Sequence, residues 1–119
     1  MNVDDLKTAA DLASLSEDEL LVLVAEETRP GLFQIDERSD EEKRKSGRGW
    51  LEAKKAKLCT VLCRPELTFL RPPPGSERER ALMICALADV IMGVEVAISP
   101  FTAAALVLWY GLDKLCGDS

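Results

Sequence analysis

A Ser-x-x-Glu motif recurs three times along the chain, and it constrains the fold more than any other feature of the sequence. It occurs at residues 16–19, 39–42 and 76–79. The motif is typical of a helix N-terminus, because the serine and glutamate side chains each satisfy a main-chain amide of the other residue. Ser99-Pro100 is a fourth helix start, with a capping hydroxyl before a proline suited to the first helical position. The sequence therefore predicts an all-α fold.

The spacing of apolar and helix-breaking residues predicts a compact bundle of about five to six helices. We interpret Gly47-Arg-Gly49 as a bend between two of these helices. The last third of the chain is nearly uncharged, so we expect an apolar central helix (about 77–98) packed against a C-terminal helix (about 100–115). The helices are expected at about residues 3–13, 16–27, 39–46, 49–63, 77–98 and 100–115.

The apolar hairpin at the C-terminal end supplies the predicted core. Gly93 lies in the middle of the expected central helix, where glycine costs about 1 kcal/mol relative to alanine, so we expect another helix to approach closely there. Asp89 and Glu95 are six positions apart, about 120° around a helix, which makes them a poor general acid and base pair. The residues expected to be mostly buried are Leu82, Cys85, Val90, Met92, Val96 and Leu108.

Charge divides the chain into three segments of one expected helical domain, residues 1–119. Residues 1–42, an acidic helical segment and loop, carry a net charge of −10. Residues 43–76, a basic helix followed by a proline-rich loop, carry +7, and the apolar hairpin 77–119 carries −3. The total of −6 opposes broad affinity for nucleic acid, because phosphates are repelled by the summed field of the protein.

The most suggestive surface feature is the run of seven basic residues between 43 and 57, opposed only by Glu52. We predict that it binds an acidic protein surface, with Trp50 as the kind of side chain favoured in binding hot spots. The plainest alternative is a solvated helix face that compensates the acidic segment 1–42 within the same molecule. The predicted partner-binding residues are Lys43, Arg44, Lys45, Arg48, Trp50, Lys54, Lys55 and Lys57.

The residues that usually carry catalysis or hold metals are scarce in this chain. It contains no histidine, which excludes Ser-His-Asp and Cys-His catalysis and histidine-ligated metals. We expect no catalytic residues, no metal and no cofactor. Met1 is followed by neither a basic nor an apolar stretch, so we expect a cytoplasmic protein with reduced thiols. Those thiols lack the CxxC spacing of zinc sites, and we expect them in the core: Cys59, Cys63, Cys85 and Cys116.

These features predict a non-enzymatic helical interaction module, an adaptor or small subunit of a larger complex that binds an acidic partner. Self-association is left open. One alternative is a membrane-active protein whose apolar hairpin 81–112 inserts into a bilayer, although two acids and a short second run disfavour it. Another is a small subunit that reads the nucleic-acid backbone through the basic stretch.

Overall fold

The protein folds into six α-helices, as a computed structural model describes for residues 3–28, 37–65, 67, 74–94 and 96–117. No β-strand occurs in these ranges, and the predicted all-α bundle of five to six helices is confirmed. Most of the predicted proline-rich loop lies outside the described residues. The helices are α1 (Val3–Ala13), α2 (Glu17–Thr28), α3 (Asp40–Leu62), α4 (Glu77–Ile91), α5 (Pro100–Tyr110) and α6 (Leu112–Gly117).

The serine motifs begin α2, α3 and α4 as predicted. At α2, the Glu19 amide donates to Ser16 Oγ at 3.2 Å, and the Ser16 amide donates to Glu19 Oε1 at 3.1 Å. Helix α3 begins with the same reciprocal pair. At α4, Ser76 Oγ accepts from the Glu79 amide at 3.1 Å, while the glutamate accepts from the Gly75 amide instead. Each cap stabilises its helix by about 1 kcal/mol.

Helix α3 is continuous where we predicted two helices, 39–46 and 49–63, so the predicted bend is wrong. Gly47 faces α2 so closely that an added Cβ would meet the main chain of Leu21, 2.9 Å from its Cα. Gly49 is exposed, and nothing lies within 4 Å of a Cβ built there. The first glycine therefore permits the close approach of two helices and does not mark a break in one.

Helix α4 ends at Ile91, well short of the predicted end near residue 98. The Met92 amide closes the helix by donating to the carbonyl of Ala88, after which the chain turns. Gly93 lies in this turn, where a Cβ would approach only the Val90 carbonyl at 3.9 Å. The predicted close approach at this glycine is therefore wrong. Leaving the helix here also exposes 58% of Met92, which we had expected to be buried.

Helix α5 is the most enclosed element of the bundle. Residues Ala103–Val107 are at most 1% exposed, because α5 packs against α1, α2, α4 and α6. It ends at Gly111, whose φ of 98° turns the chain into the separate helix α6. The predicted C-terminal helix is thus two helices. Among the described residues, no helix combines the length and apolarity that a bilayer span requires.

The direction of each helix face decides which predicted core residues are buried. Cys85 and Val96 are buried, each with 3% exposure. Leu82 is 44% exposed, because it lies on the face of α4 that also carries the exposed Asp89 two turns later. The remaining two are only half-buried, namely Val90 and Leu108.

A disulfide bond joins Cys63, the residue that ends α3, to Cys116 in α6. We expected all four cysteines to be reduced, and this expectation is wrong for Cys63 and Cys116. Cys59 and Cys85 are free thiols. The break at Gly111 allows α6 to pack against α3 and brings together two cysteines separated by 53 positions in the sequence.

Candidate partner-binding surface on helix α3

Three basic residues in the first half of α3 share one side of the helix. Successive residues of an α-helix are rotated by about 100°, so Arg44, Lys45 and Arg48 fall within an arc of about 100°. Lys45 and Arg48 are exposed, and Arg44 is half-buried. Within the described residues, no carboxylate lies within the 4.0 Å ion-pair distance of any of the three. We call these three residues the α3 basic face.

Lys43, directly before this face, points into the molecule. It is 9% exposed, and its Nζ lies 3.1 Å from Glu26 Oε2 on α2. The ion pair ties the start of α3 to the end of α2. Because its charge is used inside the protein, Lys43 is not available to a partner.

Trp50 lies in the core. Only 8% of the residue is exposed, and the indole Nε1 donates a hydrogen bond to the Val96 carbonyl at 2.8 Å. The structure therefore removes Trp50 from the surface on which we expected it. A continuous helix through Gly47 would have revealed this placement, because residues 47, 50, 51 and 58 then form one buried stripe.

The three lysines at the end of the basic run do not form one surface. The Nζ of Lys55 lies 5.5 Å from the centroid of the Tyr110 ring, and Lys114 approaches the same ring at 5.8 Å. The first is a cation–π contact between α3 and α5, and the second is one between α6 and α5. Lys54 is half-buried, and Lys57 is exposed about 120° or more around the helix from the α3 basic face. Lys54 and Lys57 thus lie outside the arc of the α3 basic face. Lys55 lies on the same side of α3 as that face, about two turns after Arg48, where it contacts Tyr110.

Two carboxylates of the acidic N-terminal segment are engaged away from the α3 basic face. Glu26 pairs with Lys43. Glu27 accepts hydrogen bonds from the Ser99 amide at 2.9 Å and from Thr102 Oγ1 at 2.8 Å. This second carboxylate lies at the N-terminus of α5, where the helix dipole favours a negative charge. Part of the acidic segment therefore stabilises the bundle itself.

A cavity of about 320 Å³ lies beside the α3 basic face, between α2 and the start of α3. Its apolar lining comes from Leu15, Val22 and Leu23. Arg44 lines it together with four acidic residues, Asp18, Glu19, Glu26 and Asp40. Arg44 therefore marks the boundary between the α3 basic face and an acidic rim.

A second cavity, of about 490 Å³, lies beside Arg80 and Trp109. The guanidinium carbon of Arg80 lies 4.2 Å from the centroid of the Trp109 ring, whose Nε1 donates to the Leu15 carbonyl at 3.0 Å. One guanidinium nitrogen, Nη1, is buried and has no hydrogen-bond partner among the described residues. The indole thus holds this arginine against the bundle by a cation–π contact.

Neither a metal site nor a relative assigns a function to these surfaces. In the described part of the chain, no group of three or more histidine, cysteine, aspartate or glutamate side chains is arranged to hold a metal ion. Comparisons with protein-family models, with curated proteins and with solved structures give no match. Function is therefore inferred from the chemistry and placement of the residues alone.

Proposed function

We propose that the protein is a non-enzymatic helical interaction module, an adaptor or small subunit, that binds an acidic surface of a partner protein through the α3 basic face. The observation that carries this proposal is that Arg44, Lys45 and Arg48 have no ion-pair partner among the described residues. Basic groups that are close together and unpaired produce a positive local field, which steers and orients an acidic surface.

Internal charge compensation is the main competing explanation for the basic run. Of the acidic segment, Glu26 is paired with Lys43 and Glu27 holds the start of α5. Asp40 and Glu41 precede Arg44 and Lys45 by four positions, and such helical pairs contribute about 0.2–0.5 kcal/mol each. Asp40 and Glu41 weaken the positive field of the α3 basic face, but neither lies within ion-pair distance of its three basic residues. The face therefore keeps basic groups that an external acidic partner can contact.

Binding of nucleic acid by the same face is the second candidate. With Trp50 buried, the described residues place no aromatic side chain on the α3 basic face on which a base could stack. The net charge of −6 repels phosphate at longer range. Both observations favour an acidic protein over a nucleic acid.

Insertion of the hairpin 81–112 into a bilayer is the third candidate, and it would require the bundle to open. Residues Ala103–Val107 of α5 form the centre of the core, so exposing them to lipid would remove them from their contacts with four other helices. A cytoplasmic location stays a prediction, and there the Cys63–Cys116 bond would meet a reducing pool of thiols.

The test compares the wild-type protein with a variant in which Arg44, Lys45 and Arg48 are all changed to glutamine. The probe is a fluorescent glutamate-rich peptide, and binding is measured by anisotropy over a range of salt concentrations. We expect about tenfold weaker binding by the variant, because each exposed ion pair contributes about 0.2–1 kcal/mol. Wild-type binding should weaken with salt, since exposed charges are screened beyond about 8 Å at physiological ionic strength.

A matched control removes the same charge elsewhere. Lys7, Arg64 and Arg78 are exposed on α1, after α3 and on α4, and changing all three to glutamine should leave peptide binding nearly unchanged. An equal loss of peptide affinity in both variants would mean that binding depends only on the net charge of the protein. That result would overturn the proposed surface. Tighter binding of a DNA duplex or of anionic vesicles than of the peptide would favour the second or the third candidate. Sedimentation of the wild-type protein reports self-association.

A further inference from the structure

We propose that Cys59, Cys63 and Cys116 form a thiol–disulfide exchange site, through which the free thiol moves from α3 to α6 and there reacts with disulfides of small thiols. Cys59 carries a free thiol, and its Sγ lies 3.2 Å from the Sγ of Cys63. Cys63 is at the same time bonded to Cys116. A nucleophile thus lies within contact distance of a disulfide sulfur that it can attack.

Helix geometry creates this arrangement. Cys59 and Cys63 are four positions apart, so their side chains lie one above the other at the end of α3. The Cys63 amide still donates to the Cys59 carbonyl at 3.0 Å, which fixes the relative position of the two residues. Residues at this spacing have Cα atoms about 6 Å apart, within the range that a disulfide spans. In a regular helix the Cβ atoms at this spacing are about 5–6 Å apart, which is more than a disulfide allows, so a Cys59–Cys63 bond requires a small movement of the chain. Cys63 can supply it, because it is the C-cap residue and lies after the last helical residue of α3.

The exchange balances without an external oxidant. Cys59 loses its proton to water, and the thiolate attacks Cys63 Sγ. The Cys59–Cys63 bond forms as the Cys63–Cys116 bond breaks, the electron pair leaves on Cys116 Sγ, and that sulfur takes up a proton from water. One disulfide and one thiol are present both before and after the step. Cys59 and Cys116 are both half-buried, so each can reach solvent as a thiol.

The second step uses a named class of co-reactant, the disulfide of a small thiol. The Cys116 thiolate attacks one sulfur of that disulfide, forms a mixed disulfide and releases one small thiol molecule. Helix α6 keeps its noncovalent anchors during both steps, because Leu112 and Leu115 are 2% and 4% exposed. The site is therefore a modification site on a helix that stays packed.

The fourth cysteine serves as an internal control. Cys85 is 3% exposed and lies in α4, with its Sγ 3.8 Å from the Asp5 carbonyl on α1. It belongs to another part of the bundle and takes no part in the exchange. Changing Cys85 to serine should therefore leave the reaction unaltered.

The experiment locates the free thiol by alkylation. Protein equilibrated at pH 8 is quenched with N-ethylmaleimide and then reduced, labelled with iodoacetamide and digested with trypsin. Cleavage after Lys57 and Lys114 places Cys116 on a different peptide from Cys59. We expect maleimide on both Cys59 and Cys116, and none on Cys63. In Cys59→Ser, the maleimide on Cys116 should fall at least tenfold, and Cys85→Ser should match the wild type.

The second step is tested with glutathione disulfide as the probe. The wild-type protein should acquire glutathione on Cys116, and Cys59→Ser should not. Maleimide on Cys59 alone in the wild type, glutathione on Cys59 alone, or equal modification of Cys116 in both proteins would overturn the proposal. Circular dichroism checks that the variant is folded, and Cys59→Ala replaces Cys59→Ser if the serine variant loses its helical spectrum.

Discussion

The indole nitrogen of Trp50 donates a hydrogen bond to the main-chain carbonyl of Val96, 46 positions later in the chain and 2.8 Å away. The two residues are 8% and 3% exposed. The bond fastens the middle of α3 to the loop between α4 and α5. The side chain that sequence reasoning assigned to a partner therefore has an internal role.

Replacing Trp50 with phenylalanine should lower the free energy of unfolding by about 1–3 kcal/mol. The substitution leaves the buried Val96 carbonyl without its donor, and an unsatisfied buried acceptor carries that penalty. Urea denaturation followed by circular dichroism measures the change.

The matched control is Trp109→Phe. Trp109 also donates through Nε1, to the Leu15 carbonyl, but 40% of the residue is exposed and water can replace the donor. The loss there should be smaller, below about 1 kcal/mol. Equal losses in the two variants would contradict the importance that we assign to burial of the Trp50–Val96 bond.

Changing Gly47 and Gly49 separately to alanine should shift stability in opposite directions. At Gly47 the new methyl group would collide with the main chain of Leu21, and overpacking of this kind costs about 1–3 kcal/mol or more. At Gly49 the methyl group meets open space, and the gain in helix propensity is up to about 1 kcal/mol. Thermal melts should therefore show a lower Tm for Gly47→Ala and a higher Tm for Gly49→Ala. A stabilised Gly47→Ala variant would mean that α2 and α3 do not approach as described.

The stability of the protein should decline at alkaline pH partly through Cys85. Burial raises the pKa of this thiol above its ordinary value of 9.0, and the nearby carboxylates of Asp5 and Asp89 raise it further. The unfolded chain therefore ionises at a lower pH than the folded protein. The stabilisation is complete below pH 9 and is lost as the pH rises through the raised pKa of the folded state.

This dependence is measured by comparing urea denaturation of Cys59→Ser with that of Cys59→Ser/Cys85→Ala at pH 7 and pH 10. Removing Cys59 eliminates the free thiol next to the disulfide. The stability difference between the two proteins should narrow at pH 10, because only the first protein still carries the buried thiol. A constant difference would show that burial of Cys85 does not affect its ionisation.

The starts of most helices can be predicted from the sequence, because capping is a local interaction. Ser16, Ser39 and Ser76 each bond to an amide three residues away, so the motif contains all the information that the cap requires. The burial of α5 can also be predicted from its sequence, since a helix that is apolar on all sides is stable where it is buried. For the candidate partner-binding surface, the sequence predicts that the basic residues between 43 and 57 act as a group.

Which of those basic residues stay on the surface depends on how the helices pack against one another. Lys43 forms an ion pair with Glu26 on α2. Trp50 donates a hydrogen bond to the Val96 carbonyl in the loop between α4 and α5. From the sequence alone, Gly47 is predicted to mark a break in the helix. The structure shows that a glycine is needed there because the main chain of α2 leaves no room for a side chain. The Cys63–Cys116 bond likewise required α6 to fold back onto α3. Each of these contacts depends on which helix faces meet, and that is fixed by burial of the whole core and not by any short stretch of sequence.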